Sequence, residues 1–401
     1  MRQELSKRQH AAPQIEPGAI CTVSVEDVAF GGDGVARIEG LAVFIPFALE
    51  GETVSIEITE VKNRYARARL RSVLQPSPAR TAPVCDIYGV CGGCQYQHID
   101  YKRQLVIKQQ QVEALLARIG NWPDAPVRPI IPSAPWHYRN RITLQGPGAP
   151  SYVGVAHDER IPVANCPIAH QALNEALQTW RGAHPEGLRA AERLVLRLNN
   201  DGQAVVVSQG ATRLSPQSVL GVSFEVPAQS FFQVNAGVAD RLVREVLDAI
   251  RASGARVLVD GYAGAGVFGV LAAPELDAVW CIERDAAAVR AGRRNARQAG
   301  ATRLRYVTGR VEDHLASVLQ RLKASYTAVL LDPPRAGCPP AVWNALLRLR
   351  PRTVLYVSCA PDRLARDVRR LRDHGYRGVY IQPFDMFPQT AHIEVLTVMT
   401  G

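Results

Sequence analysis

No stretch of this chain reaches the roughly 18 consecutive uncharged residues that a membrane-spanning helix requires. Residues 1–18 are polar and contain no apolar core of a secretory leader. Both absences point away from membrane and export, and a cytoplasmic protein is expected. Acidic residues are in deficit: 37 Asp and Glu face 47 Lys and Arg, leaving a formal net charge of +10. The deficit is sharpest in residues 61–80, which hold Lys62, Arg64, Arg67, Arg69, Arg71 and Arg80 and no acid at all. A polyanionic partner suits that imbalance. Arg67, Arg69 and Arg71 alternate along a strand-like run, which places them on one face. Further arginines at 290–297 and 363–372 sit in helix-like stretches, where solvated faces are the ordinary explanation. At 401 residues the chain exceeds one ordinary core, and three domains are expected.

The eight cysteines belong to a large chain expected to be cytoplasmic, so they argue for metal or catalytic roles rather than a disulfide framework. Cys85, Cys91 and Cys94 form C-x5-C-x2-C, and Cys166 follows at a distance. The paired Cys-x2-Cys knuckles of a zinc ribbon are missing, as is the Cys-x3-Cys-x2-Cys of radical S-adenosylmethionine (SAM) enzymes. Four thiolates complete a shell for zinc or for iron–sulfur, and spacing does not choose between them.

Residues 18–75 alternate apolar and polar positions in short runs broken by Gly31-Gly32-Asp33-Gly34, the pattern of a small antiparallel barrel. Pro76-Ser77-Pro78 and Pro83 read as a linker, with a boundary near residue 76. Leu105, Ile107, Val112, Leu115, Leu116 and Ile119 follow a helical period over 101–119. Residues 128–227 mix short strands with a helix near 169–180, an α+β middle domain holding the fourth cysteine. After Gln229 strands alternate with helices, which predicts an α/β, doubly wound, mostly parallel sheet.

Three motifs within that sheet carry chemistry. Val257-Leu258-Val259-Asp260 runs into Gly261-Tyr262-Ala263-Gly264-Ala265-Gly266, where Gly264 and Gly266 let backbone approach a ligand. The glycine pattern alone also fits a dinucleotide site, but an Asp closing the strand suits the charged methionine end of SAM, and Glu283 can accept ribose hydroxyls. Asp332-Pro333-Pro334-Arg335 closes a second strand with a rigid turn, which could equally be no more than a turn. Val354 to Ser358 delivers Cys359 to a third strand end. A lone strand-end cysteine is more often inert packing. A thiol beside a SAM loop has a specific use: C5 of uracil is too weak a nucleophile until a thiolate adds at C6. A base must then take the C5 proton, and Glu394, entering the last strand beside His392, is the candidate.

These motifs resemble the RNA uracil-C5 methyltransferases over nearly the whole chain. Gly32-Asp33-Gly34-Val35-Ala36-Arg37, Val43-Phe44-Ile45-Pro46 and Lys62-Asn63-Arg64-Tyr65-Ala66 are similar to the TRAM domain, an OB-like RNA-binding barrel. The resemblance implies a Rossmann-like SAM methyltransferase domain behind a TRAM barrel and an α+β middle domain. Its boundaries would be 1–76 for the barrel, 77–100 with 122–228 for the middle domain, and 101–121 with 229–401 for the methyltransferase domain. It implies Cys359 as nucleophile, Glu394 as base, and Gln233, Asp260, Tyr262, Gly264, Gly266, Glu283 and Asp332 around SAM. Cys85, Cys91, Cys94 and Cys166 resemble the 4Fe-4S site of the branch acting on 23S ribosomal RNA, with transfer RNA as the alternative substrate. A monomer is expected. The sequence departs from the family pattern at Ala360, Val267 and Arg310. A radical SAM RNA-modifying enzyme and a cluster-bearing RNA-binding protein with a degenerate methyltransferase domain are the rival readings.

Overall fold

The computed structural model describes residues 15–156, 158–207 and 214–401, so the leader-free reading of residues 1–18 lies mostly outside the described residues. The chain forms two compact units, residues 1–83 with 95–103 and residues 84–94 with 104–401. No helix among the described residues is long and apolar enough to cross a membrane.

The first unit holds β1 (Ile20–Ser24), β2 (Asp27–Val28), β3 (Gly34–Ile38), β4 (Leu41–Ile45), β5 (Thr53–Val61) and β6 (Tyr65–Gln75). They form one sheet in the order β1-β5-β6-β4-β3-β2, antiparallel except for the β4–β6 pair. Strict alternation explains it: Val54, Ile56 and Ile58 of β5 and Ala66 and Ala68 of β6 turn inward, and the residues between them turn out. Arg67, Arg69 and Arg71 therefore share the outer face, but not as bare charges. Arg67 pairs with Asp33 at 3.7 Å, while Arg69 and Arg71 share Glu57 at 2.7 and 3.2 Å.

Helix α1 (Tyr101–Arg118) buries Gln104, Ile107, Lys108, Gln111, Val112, Leu115 and Leu116, a helical stripe that is polar in its first half. In the second unit β7 (Arg141–Gln145), β8 (Ser151–Val153), β9 (Arg160–Pro162), α2 (Gln171–Ala183), β10 (Arg193–Leu198) and β11 (Ala204–Val207) follow. Their sheet runs β11-β10-β7-β8-β9, and Ile142, Leu144, Leu194 and Leu196 pack on Leu173 and Leu177 of α2. The hairpin β12 (Leu214–Val219) and β13 (Val222–Pro227) gives Val219, Phe224 and Val226 to the core of the sheet that follows.

That sheet is built from α3 (Ala236–Ser253), β14 (Val257–Gly261), α4 (Val267–Ala272), β15 (Ala278–Glu283), α5 (Ala286–Gln298), β16 (Leu304–Thr308), α6 (Val311–Leu319), β17 (Thr327–Leu331), α7 (Pro340–Leu349), β18 (Thr353–Ser358), α8 (Pro361–Asp373), β19 (Arg377–Phe384) and β20 (Glu394–Thr400). The order is β16-β15-β14-β17-β18-β20-β19, parallel up to β18 and antiparallel at β20. β17 and β18 are buried throughout, as expected of strands covered on both faces. Strand order reverses between β14 and β17, and the crevice outside the strand carboxyl ends at such a reversal is where ligands bind in this architecture.

Candidate active site

Four parallel strands end on that crevice in chemistry: Asp260 in β14, Glu283 closing β15, Asp332 just after β17 and Cys359 just after β18. β20 runs the other way and begins at Glu394. Its register with β18 ends at Ser358 opposite Val395, so the next residue of each strand brings Cys359 beside Glu394. An antiparallel last strand is what lets its first residue meet the last residues of its parallel neighbours.

The glycine loop is held open by its own chemistry. Gly266, at φ 85°, caps the N-terminus of α4, and a Cβ there would lie 2.2 Å from the Tyr306 hydroxyl. Only glycine fits. The Gly264 N–H donates to Glu283 Oε2 at 3.0 Å, and Gly269 N–H donates to Asp260 Oδ2 at 3.2 Å. Asp260 is wholly buried, yet among the described residues its Oδ1 has no hydrogen-bond partner, and neither has the buried Oε1 of Gln233. Two buried acceptors facing nothing are costly unless a ligand supplies donors. Burial, with Asp332 next in weight, pushes the Asp260 carboxyl up to about 8 against the pull of the Gly269 N–H. A cationic, donor-rich ligand would reverse that, which is the sense in which these residues fit the methionine end of SAM. Tyr262, at φ 67°, turns the chain out of β14 and stands beside the Cys338 thiol.

Around Cys359 the groups are drawn together. Burial raises its thiol to about 11, Glu394 and Asp332 push the same way, and Arg335 opposes them by charge and by a hydrogen bond. Burial raises Glu394 well above the ordinary range, Asp332 adds to it, and Arg335 again opposes. Burial carries Asp332 to about 7. Burial lowers His392 to about 4, helped by Arg335, Lys108 and Arg139, so its imidazole is neutral. Arg335 is thus the common cation of Cys359, Glu394 and His392.

The cysteine quartet lies in the second unit, away from these residues in sequence. Cys85, Cys91 and Cys166 feel one another's charge, and burial raises the thiols of Cys85 and Cys91. Gly93 N–H donates to Cys91 Sγ at 3.4 Å, and Asn174 brackets Cys166, accepting from its N–H at 2.9 Å and donating to its carbonyl at 3.1 Å. The soft donor set fits zinc or iron–sulfur. Among the described residues, however, no three His, Cys, Asp or Glu side chains are arranged to hold a metal ion. The thiols are grouped without being drawn into a shell.

Asn295 escaped the motif reading. It is buried, exchanges hydrogen bonds with Glu225 of β13 and donates to the Ala265 carbonyl at 3.0 Å, tying the glycine loop to the hairpin. The signal was an amide on the apolar face of an arginine-rich helix, among Ala288, Ala291 and Gly292.

Comparison with known proteins gives two domain matches: a TRAM domain over residues 14–70 and the tRNA (Uracil-5-)-methyltransferase family over residues 217–400. An uncharacterized RNA methyltransferase of Synechocystis sp. is 30% identical over 97% of each chain, and one of Gloeobacter violaceus is 32% identical over 96% of this chain and 98% of that protein. Among solved structures, the Pyrococcus abyssi tRNA (uracil-54, C5)-methyltransferase in complex with S-adenosyl-L-homocysteine superposes with a TM-score of 0.74. It covers 95% of this chain and 100% of its own at 22% identity, which speaks for the shared fold. End-to-end likeness to RNA methyltransferases, with a uracil-5 domain spanning the strands from Asp260 to Glu394, places this chain in the RNA uracil-C5 methyltransferase family.

Proposed function

We propose that the protein methylates C5 of a uridine in RNA through a covalent adduct between Cys359 and C6, with 23S ribosomal RNA as the favoured substrate and transfer RNA as the alternative. The observation that carries this is the meeting of a thiol, a carboxyl of raised pKa and a guanidinium at the carboxyl edge of the sheet. Nothing so arranged is needed to methylate an exocyclic amine.

The Cys359 thiolate adds to C6, and the electron pair released into the ring makes C5 nucleophilic enough to accept a methyl group. When bound, SAM supplies that methyl on a sulfonium whose positive charge acts on the thiol in the same direction as Arg335. Glu394 then takes the C5 proton, the C–H pair becomes the C5=C6 double bond, and the C6–S bond breaks to return the thiolate. A carboxyl of raised pKa suits proton abstraction, because its conjugate base is stronger than an exposed carboxylate. Gln233, Asp260, Tyr262, Gly264, Gly266, Glu283 and Asp332 would hold SAM. Its ammonium and ribose hydroxyls match the free acceptors Asp260 Oδ1 and Gln233 Oε1 and the carboxylate of Glu283. A uridine reaches this crevice only when flipped from its stack. The protein would act as a cytoplasmic monomer.

We further assign Cys85, Cys91, Cys94 and Cys166 to a 4Fe-4S cluster. The support is an all-thiolate donor set in which three members interact. Iron and acid-labile sulfide in anaerobically purified protein, lost together in a Cys91→Ser variant, test the assignment; bound zinc without sulfide would replace it.

The reaction is tested by incubating the protein with labelled SAM and unmodified 23S ribosomal RNA or transfer RNA, then analysing nucleosides. Appearance of 5-methyluridine in one RNA names the substrate. Intact SAM binding with label in another nucleoside, or in none, rejects the reading.

A further inference from the structure

Two residues of the polar half of the buried stripe on α1, Gln104 and Lys108, hydrogen-bond to the connector of residues 385–393 between β19 and β20. Lys108 is fully buried, and its Nζ donates to Asp385 Oδ1 at 2.6 Å and to the Phe387 carbonyl at 3.1 Å. Gln104 and Gln389 are reciprocally paired: Gln104 Nε2 donates to Gln389 Oε1 at 3.0 Å, and the Gln389 N–H donates to Gln104 Oε1 at 3.1 Å. Gln389 sits at φ 68°, a conformation that a glutamine adopts only when its surroundings impose it. The Tyr138 hydroxyl donates to the Pro388 carbonyl at 3.0 Å, and Asn235 Nδ2 donates to that of Met386 at 3.3 Å. The connector is fixed from several sides, and it ends at Glu394.

Stability does not account for Lys108. A lysine and an aspartate taken wholly out of water give back little more than their desolvation cost, and two apolar side chains of similar volume would serve the fold as well or better. The carboxylate is also incompletely satisfied, since Asp385 Oδ2 is buried with no hydrogen-bond partner among the described residues. What an ion pair supplies that packing does not is a fixed place for the chain segment bearing it.

We propose that Lys108 is a positioning residue for the release step, holding the Asp385-to-Ile393 connector so that the Glu394 carboxylate meets the C5 proton. This rests on the reading of Glu394 as base. The step it governs begins after methyl transfer: Glu394 takes the proton from C5, the freed pair forms C5=C6, and Cys359 leaves as thiolate. Addition of Cys359 to C6 and the methyl transfer itself lie before it and do not depend on the connector. A defect at Lys108 therefore stalls the enzyme as a methylated covalent adduct.

Three variants test this with RNA and SAM: Lys108→Met, the charge-free double variant Lys108→Met/Asp385→Leu, and Glu394→Gln as reference. The double variant leaves no lone buried charge, so it should keep the wild-type melting temperature even if the single variant does not fold. Expected for the double variant is a loss of turnover on the order of 10- to 100-fold, as for a base displaced by about an ångström. KM for RNA should fall together with kcat, leaving kcat/KM near wild type, SAM affinity should be unchanged, and a protein–RNA adduct stable to denaturing electrophoresis should accumulate as in Glu394→Gln. Wild-type turnover in the double variant overturns the proposal. So does lost turnover without adduct when Glu394→Gln accumulates it, the pattern of a merely structural lesion. Absence of adduct in Glu394→Gln itself refutes the reading of Glu394 and takes this proposal with it.

Discussion

Two glutamates, one in each unit, are both withdrawn from water and end in opposite electrostatic states. Glu52, in the barrel, is 1% exposed, and Glu394, at the sheet edge, is 4% exposed. Burial pushes both carboxyls up. For Glu52 the push is more than offset: Arg80 forks onto it, the N–H groups of Leu49 and Ser77 donate to it at 2.9 and 3.3 Å, and its pKa falls below the ordinary value. For Glu394, Asp332 reinforces burial, Arg335 opposes only in part, and among the described residues no donor is hydrogen-bonded to the carboxyl. A buried acid with every lone pair answered is structure, while one left strained upward is poised for proton transfer.

The comparison breaks most visibly at the neighbour of Glu394. Cys359→Ala should abolish 5-methyluridine formation while SAM binding, measured by calorimetry, survives; product at a measurable rate would remove the thiol from the mechanism. Glu394→Gln should cost on the order of 10²–10⁴-fold in turnover and leave or raise the melting temperature, since a neutral amide relieves the strain of burying an acid. Glu52→Gln should do the reverse. Turnover per folded molecule is retained, but Arg80 loses its counter-charge, and stability measured by urea unfolding drops by about 3–5 kcal/mol. Equal melting temperatures for the two variants would erase the distinction.

The two acid sets should also answer pH in opposite directions. An acid whose pKa is higher when folded stabilises the fold below its unfolded value and gives that up as pH rises through the folded one. For Asp260 that window runs from 3.8 to about 8, and for Asp332 from 3.8 to about 7. The melting temperature of the ligand-free protein should therefore fall between pH 5 and 9, with a shallower slope in Asp260→Asn. Glu52, with its pKa lowered, contributes stability that is present above its ordinary value of 4.5 and lost as pH falls below it. A flat profile from pH 5 to 9, unchanged in Asp260→Asn, would mean that water reaches the crevice acids.

What the sequence disclosed follows the same division. β14, β17 and β18 were legible because strands covered on both faces are uninterrupted apolar runs, and the glycine loop because only glycine tolerates the backbone at Gly266. The barrel was legible from alternation. On α1 the counting of apolar residues selected Leu105 and Ile119, but Ile119 is exposed and the stripe runs instead through Gln104 and Lys108. A polar residue on a buried face is invisible to hydrophobic periodicity, and its reason, Asp385, lies far away in the chain. Asn295 was missed for the same reason. The cysteine quartet shows the converse: the donor types were plain from the sequence, but the distances of a ligand shell are not written in spacing.

The smallest effect is expected where charges are paired but not buried. Arg67, Arg69 and Arg71 stood out in sequence as a basic face, yet Arg69 and Arg71 share the single carboxylate of Glu57, which halves the charge that this part of the strand presents. That partner sits on β5, the antiparallel neighbour of β6, where the register sets Glu57 opposite Arg69. Exposed pairs of this kind contribute little to stability and are screened by salt. Glu57→Gln should thus leave the melting temperature unchanged. Freed of their counter-ion, the two guanidiniums can each take an RNA phosphate, so affinity for RNA should rise a few-fold at low salt and its dependence on salt concentration should steepen. If binding is instead unchanged at every salt concentration, this face of the barrel does not meet the RNA, and the positive charge that recruits it lies among the arginines of α5 and α8.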